Sequence, residues 1–154
     1  VEFAGPTVEA MRMEERLVLT NMAAELGAET GVVAPDRVTF DWLRAAGAPP
    51  ADEAAAASWA SDADAVYEAV HRFDAERLGP MIARPHSPAN SVPVQEVAGV
   101  PIDQAYVGAC VGAKLADLRM AAQVLAGRRI APGMRLLVAP ASARATEAAA
   151  REGV

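Results

Sequence analysis

Ile102-Asp103-Gln104-Ala105-Tyr106-Val107-Gly108-Ala109-Cys110-Val111-Gly112-Ala113-Lys114-Leu115 is the stretch that decides the fold. Its first half alternates apolar and polar residues, as a half-buried strand does. Small residues then form a turn, and a helical pattern opens at once. The only cysteine of the chain, Cys110, therefore falls at the C-terminal rim of a strand and the N-terminus of a helix. Open α/β sheets bind ligands at that rim. A helix N-terminus favours the thiolate, the form of cysteine that ligates metals and attacks electrophiles.

Elements of the same two kinds flank this stretch. Upstream, residues 14–26 carry Leu19, Met22 and Leu26 at helical spacing, with Gly27 as a stop. Residues 31–34 read as a short strand closed by Pro35-Asp36. Asp36 is placed to cap a helix over 37–46 that ends at Gly47. Residues 48–64, rich in Ala, Asp, Ser and Pro, read as a mobile connector with room for one helical turn near 54–59. Residues 65–73 alternate weakly and predict a strand. Four prolines make 78–94 an extended loop. Downstream, 114–126 predicts a helix stopped by Gly127, 135–139 a buried strand, and 143–152 a last helix stopped by Gly153. Arg128-Arg129 reads as a charge pair at the helix end. Strands alternating with helices predict an α/β fold in three α/β/α layers around a parallel or mixed sheet. No internal repeat is present.

Composition bounds the rest. A chain of 154 residues suits one domain, 1–154, with a core of useful size. Hydrophobic residues make up 53% and charged residues 22%, which is the balance of a folding chain. Aromatics are only 5%, so the core is expected to be built from small side chains. The net charge of −6 excludes a dominant nucleic-acid or anionic-membrane surface, since phosphate contacts need clustered cations. A single cysteine rules out an internal disulfide and fits a reducing, cytoplasmic setting. No apolar run is long enough to span a membrane. The opening Val1-Glu2-Phe3 lacks the pattern of a signal peptide and reads as a chain entered in mid-fold.

Few side chains stand out as chemistry. Cys110 is either a small buried hydrophobe or a reactive thiol; its turn, flanked by Gly108 and Gly112, lets a ligand approach the backbone. Asn21 and Glu25 are spaced to share one helix face beside Val18 and Met22. They are either an ordinary surface pair or a carboxylate at a desolvated margin, suited to acid–base work. His86 lies in the stiff run Arg84-Pro85-His86-Ser87-Pro88 and is either a plain loop histidine or a substrate-side group. His71 reads as a half-exposed strand residue. No Ser/His/Asp nucleophile set, phosphate-cradling glycine loop or paired metal-ligand histidines occur.

In order along the chain, several runs resemble the large subunits of 3-isopropylmalate dehydratases, within the aconitase iron–sulfur hydro-lyase superfamily. They are Glu2-Phe3-Ala4-Gly5-Pro6, Met13-Glu14-Glu15-Arg16, Thr20-Asn21-Met22-Ala23-Ala24-Glu25-Leu26-Gly27-Ala28 and Thr30-Gly31-Val32-Val33-Ala34-Pro35-Asp36. Pro85-His86-Ser87-Pro88-Ala89-Asn90, the 102–110 stretch and Pro140-Ala141-Ser142 complete the set. Each run alone is weak; together, in order and over nearly the whole chain, they are specific.

The resemblance implies an aconitase-like fold and roles that the residues alone do not give. Cys110 matches the cysteine of a Gly-Ser-Cys-Thr-Asn turn, one of three thiolate ligands of a 4Fe–4S cluster whose fourth iron binds substrate. Asn21 and Glu25 match the site-lining residues of an Asn-Met-x-x-Glu helix. The implied substrate is a small hydroxy-di- or tricarboxylate that is dehydrated and rehydrated. The implied partners are the remaining large-subunit segments and a small swivel domain or subunit, with no nucleic acid and no membrane.

The departures from the pattern matter as much. Ala109, Val111 and Gly112 stand where the family has Ser, Thr and Asn, so three hydrogen-bonding side chains are missing around the sulfur. The family's Cys-x-x-Cys pair, which supplies the other two ligands, is absent from this sequence. The chain alone is therefore expected to be inactive and to expose apolar surface where further sequence would dock. A non-catalytic relic or interaction module that keeps the fold without the cluster is the main alternative. A domain using the Cys110 thiol alone is a third.

Overall fold

The computed structural model describes residues 1–109 and 111–154; Cys110 lies outside the described residues. The chain gathers into two compact units, residues 1–98 and 99–154.

The first unit is built on a buried arginine. Helix α1 (Pro6–Ala10) leads into α2 (Met13–Met22), and α3 (Arg37–Ala45) follows after a reversal. Arg16 on α2 is only 2% exposed. Its guanidinium meets Asp36 with two hydrogen bonds of 2.7 and 2.8 Å. It also donates to the Val8 carbonyl at 3.2 Å and the Glu9 carbonyl at 2.8 Å. One side chain thus satisfies carbonyls in the last turn of α1 and holds the start of α3. Asp36 serves twice, because the same carboxylate caps α3 by accepting the Thr39 amide at 3.2 Å. The Arg16 hydrogen bond holds the Asp36 carboxyl below its ordinary range and raises the guanidinium in turn.

α2 runs on into a 3-10 turn, Ala23–Leu26, which Gly27 ends in the left-handed conformation (φ 83°). Only glycine adopts that conformation without a Cβ penalty. The returning chain makes a single parallel bridge, Glu2 to Val32, where a strand over 31–34 is predicted. Short helix α4 (Glu53–Ala57), capped by the Asp52 carboxylate, occupies the 48–64 connector. An ion pair between Arg44 and Glu53 ties it to α3.

Two readings of this unit are corrected. Residues 65–73 form no strand: Val66, Val70 and Phe73 are 97%, 60% and 80% exposed, and no neighbouring strand pairs with them. Alternation without a partner or a buried face does not make a sheet. Conversely, the proline-rich stretch 78–94 is not simply a loop. β1 (Met81–Ala83) and β2 (Ser91–Pro93) pair antiparallel across it, with Pro80 just ahead of β1, Pro85 and Pro88 in the connecting turn and Pro93 at the end of β2.

The second unit is a β–α–β–α run. β3 (Gln104–Val107) and β4 (Arg135–Val138) pair in parallel, Ala105 opposite Leu136 and Val107 opposite Val138. The crossover between them contains α5 (Leu115–Leu125), and α6 (Ala143–Glu152) follows β4. Ala113, Leu118 and Ala149 form the core here, with Leu115 packed against it. Arg119 holds Glu152 with bonds of 2.7 and 2.6 Å, joining the two helices at the surface. Strand β4 is mostly exposed rather than buried, and Arg128 and Arg129 lie beyond the last turn of α5.

Helices mixed with a parallel strand pair fit the α/β class, with sheets of two strands each. The small-residue core is as composition predicts. Ala23, Ala56, Ala113 and Ala149 are four of the six buried apolar residues among those described, beside Phe40 and Leu118.

Candidate functional site

At the end of α2 the chain is tightly fixed. Gly31 lies so close to the helix that a Cβ there would sit 2.7 Å from the Ala23 methyl and 2.9 Å from the Thr20 carbonyl. Ala23 is fully buried beneath it. The Ala28 amide closes onto the Ala23 carbonyl at 3.1 Å. The helix end bearing Asn21 and Glu25 is thus clamped against the returning chain at Gly31.

The two side chains share this segment in a modified register. Asn21 is in the last turn of α2 and Glu25 in the 3-10 turn. A 3-10 turn advances about 120° per residue, against about 100° in an α-helix. Glu25 is therefore swung farther round than uniform α spacing implies. Both residues are exposed, so these residues alone do not supply the desolvation expected of Glu25.

His86 sits apart, in the turn between β1 and β2. The stiffness expected of that turn is present. Asn90 donates its amide to Ser87 at 3.0 Å and its side-chain nitrogen to Pro85 at 2.8 Å. The Ser91 hydroxyl donates to Pro88 at 2.8 Å, and the Arg84 amide reaches back to Asn90 at 3.0 Å. His86 itself is exposed.

In the second unit, the turns after β3 and β4 lie at the same C-terminal edge of the parallel pair. They are joined directly, since the Ala141 amide donates to the Ala113 carbonyl at 2.9 Å. Ala113, just ahead of α5, and the Pro140-Ala141-Ser142 turn are therefore neighbours, as ligand-binding loops of parallel sheets are. Helix α5 begins at Leu115 with Lys114 as its N-cap, within one residue of the predicted 114–126. The turn is closely drawn. Ala109 (φ 82°) and Ala113 (φ 54°) both take left-handed backbone. The Tyr106 ring lies over Gly108, where a Cβ would collide with it. A Cβ on Gly112 would lie 2.7 Å from the Gly108 carbonyl. Lys114 donates its ammonium to the Val111 carbonyl, and its amide is held by Asp117 at 3.0 Å.

Two residues of consequence escape the pattern reading. Arg16 looks like one more surface charge on a helix. Lys114, the single lysine among fourteen cationic residues, belongs to no motif that marks it.

The chain matches the aconitase family (aconitate hydratase) over residues 1–101 and 95–154, which together cover its whole length. The chain belongs to the aconitase family. Among curated relatives, it is 43% identical over 159 positions to the 3-isopropylmalate dehydratase large subunit of Geobacter metallireducens. It is 37% identical over 156 positions to 3-isopropylmalate dehydratase large subunit 1 of Pyrococcus furiosus. It is 37% identical over 154 positions to the large subunit from a Sulfurihydrogenibium species. Each alignment covers all of this chain and 37%, 36% and 35% of the respective relative. The aconitase-family chain thus spans little more than a third of the length of these relatives.

Family membership implies a 4Fe–4S cluster, but this chain's own donors do not fit one. A cluster held by three thiolates needs more sulfur than a single cysteine supplies. Among the described residues, no group of three or more His, Cys, Asp or Glu is arranged to hold a metal ion. Nor is any helix of the described residues long and apolar enough to cross a membrane.

Proposed function

We propose that this chain is a segment of an aconitase-type hydro-lyase of the isopropylmalate dehydratase kind, one that dehydrates and rehydrates a small hydroxy-di- or tricarboxylate in the cytoplasm. What supports this most is similarity that covers the whole chain, through the clamped helix end that carries Asn21 and Glu25. In this reading Asn21 orients polar groups at the reacting carbon and Glu25 moves the proton. His86 stands on the substrate side. Cys110 supplies one cluster thiolate, and the other two come from polypeptide outside these residues. That polypeptide, with a small swivel subunit, completes a three-layer α/β/α domain. The chain by itself is inactive, because one thiolate does not retain the cluster.

The alternative, a relic without a cluster, draws support from one observation. Ala109, Val111 and Gly112 remove three polar side chains from around the sulfur.

Anaerobic iron and sulfide reconstitution of the complete protein with its small subunit separates the two. The enzyme reading expects a visible iron–sulfur absorbance and turnover of one member of a panel of isopropylmalate, homocitrate and citrate. Cys110→Ser should abolish both; turnover retained in that variant overturns the ligand assignment. A colourless, inactive assembly decides for the relic.

A further inference from the structure

Residues 58–74 contain no helix or strand and are exposed throughout, yet they are tied down in mid-span. Ser61 Oγ donates to Glu2 Oε2 at 2.7 Å, and Tyr67 Oη donates to the same oxygen at 2.8 Å. The acceptor stands on a fixed rail. The Glu2–Val32 bridge holds the backbone beside it, with the Phe3 amide on the Val32 carbonyl at 2.9 Å and the Val32 amide on the Val1 carbonyl at 2.9 Å. The upstream end of the segment is anchored as well. Upstream, α4 buries Ala56 and is paired to α3 through Arg44 and Glu53. Downstream, Asp74 caps the 3-10 turn Ala75–Arg77 that leads to β1.

We propose that residues 58–74 are a strap, fastened to the first unit by the Glu2 carboxylate through Ser61 and Tyr67, and releasable without unfolding the helices beneath it. The apolar side chains it carries argue for a separable element. Trp59 is 79% exposed and Phe73 80%, so they leave few contacts to hold the strap down once the carboxylate lets go. Two hydroxyls converging on one charged oxygen make a joint that a single substitution opens.

Backbone 15N relaxation on the 154-residue chain tests this. The unaltered protein should show order parameters near the rigid value of about 0.85 across residues 60–68, and both Glu2→Ala and the double variant Ser61→Ala/Tyr67→Phe should drop them below about 0.6. Trypsin cleavage after Arg72 should quicken about tenfold in both variants. Glu2→Gln, which keeps an acceptor oxygen, should recover much of the order. Values in α2 and α3 should stay put in every case. Unchanged order in both opened variants overturns the proposal. So does an equal loss in α2 and α3, which would make Glu2 a support of the whole unit.

Discussion

Arg16 and Asp36 are unequal partners. The Arg16 side chain is 2% exposed and the Asp36 side chain 37%. Removing the acid strands a buried cation, at a cost of about 3 kcal/mol, and also uncaps α3. Removing the base with Arg16→Met refills the space and leaves Asp36 to water. Urea unfolding should therefore rank Asp36→Ala as the more damaging change; the reverse order would mean that the buried cation finds other partners. The backbone at position 109 offers the opposite case. A left-handed alanine is strained by roughly 1 kcal/mol, and glycine is not. Ala109→Gly should raise the thermal midpoint of the second unit, and a fall would show that the alanine methyl has a contact worth more than the strain.

At the scale of elements, caps made the chain legible. α6 runs from Ala143 to Glu152 and stops at Gly153 as predicted, with Ser142 capping its start, and α3 starts where Asp36 places it. Both ends have a local cause that a sequence displays. The β1–β2 hairpin and the absent strand at 65–73 are different, because pairing depends on a distant partner that no local pattern reveals. Of the candidate site, the Asn21–Glu25 spacing was visible, but not the change to 3-10 winding between them. Nor does charge pattern distinguish a buried Arg16 from an exposed one. The clamp at Gly31 was hidden for the same reason, since it depends on Ala23 lying beneath it. Gly31→Ala forces a methyl into contact at 2.7 Å and should cost about 1–3 kcal/mol, with amide shifts centred on residues 20–28. An unchanged thermal midpoint would mean that the returning chain yields freely.

Among the described residues, three of the four carboxylates held below their ordinary range, Asp36, Glu15 and Glu2, belong to the first unit, and the fourth, Glu152, hydrogen-bonded by Arg119, to the second. Each accepts side-chain hydrogen bonds as its main cause: Asp36 from Arg16, Glu15 from Arg12, Glu2 from Ser61 and Tyr67. A group whose folded pKa is depressed stabilises the fold above its unfolded value, and that stability is lost as pH falls through the folded one. The first unit should thus keep a level melting temperature from neutrality down to about pH 5 and then soften steeply below about pH 4. Circular dichroism melts across that range check the slope, and Asp36→Asn should flatten it. A profile level down to strong acid would remove these carboxylates from the account.

The division of the chain also decides what light can see. Both indoles, Trp42 and Trp59, fall within residues 1–98, while the remainder has Tyr106 as its aromatic ring. Intrinsic emission excited at the red edge therefore reports on one half and is blind to the other. A fluorescence titration that looks like a single transition can leave the cysteine-bearing half still folded.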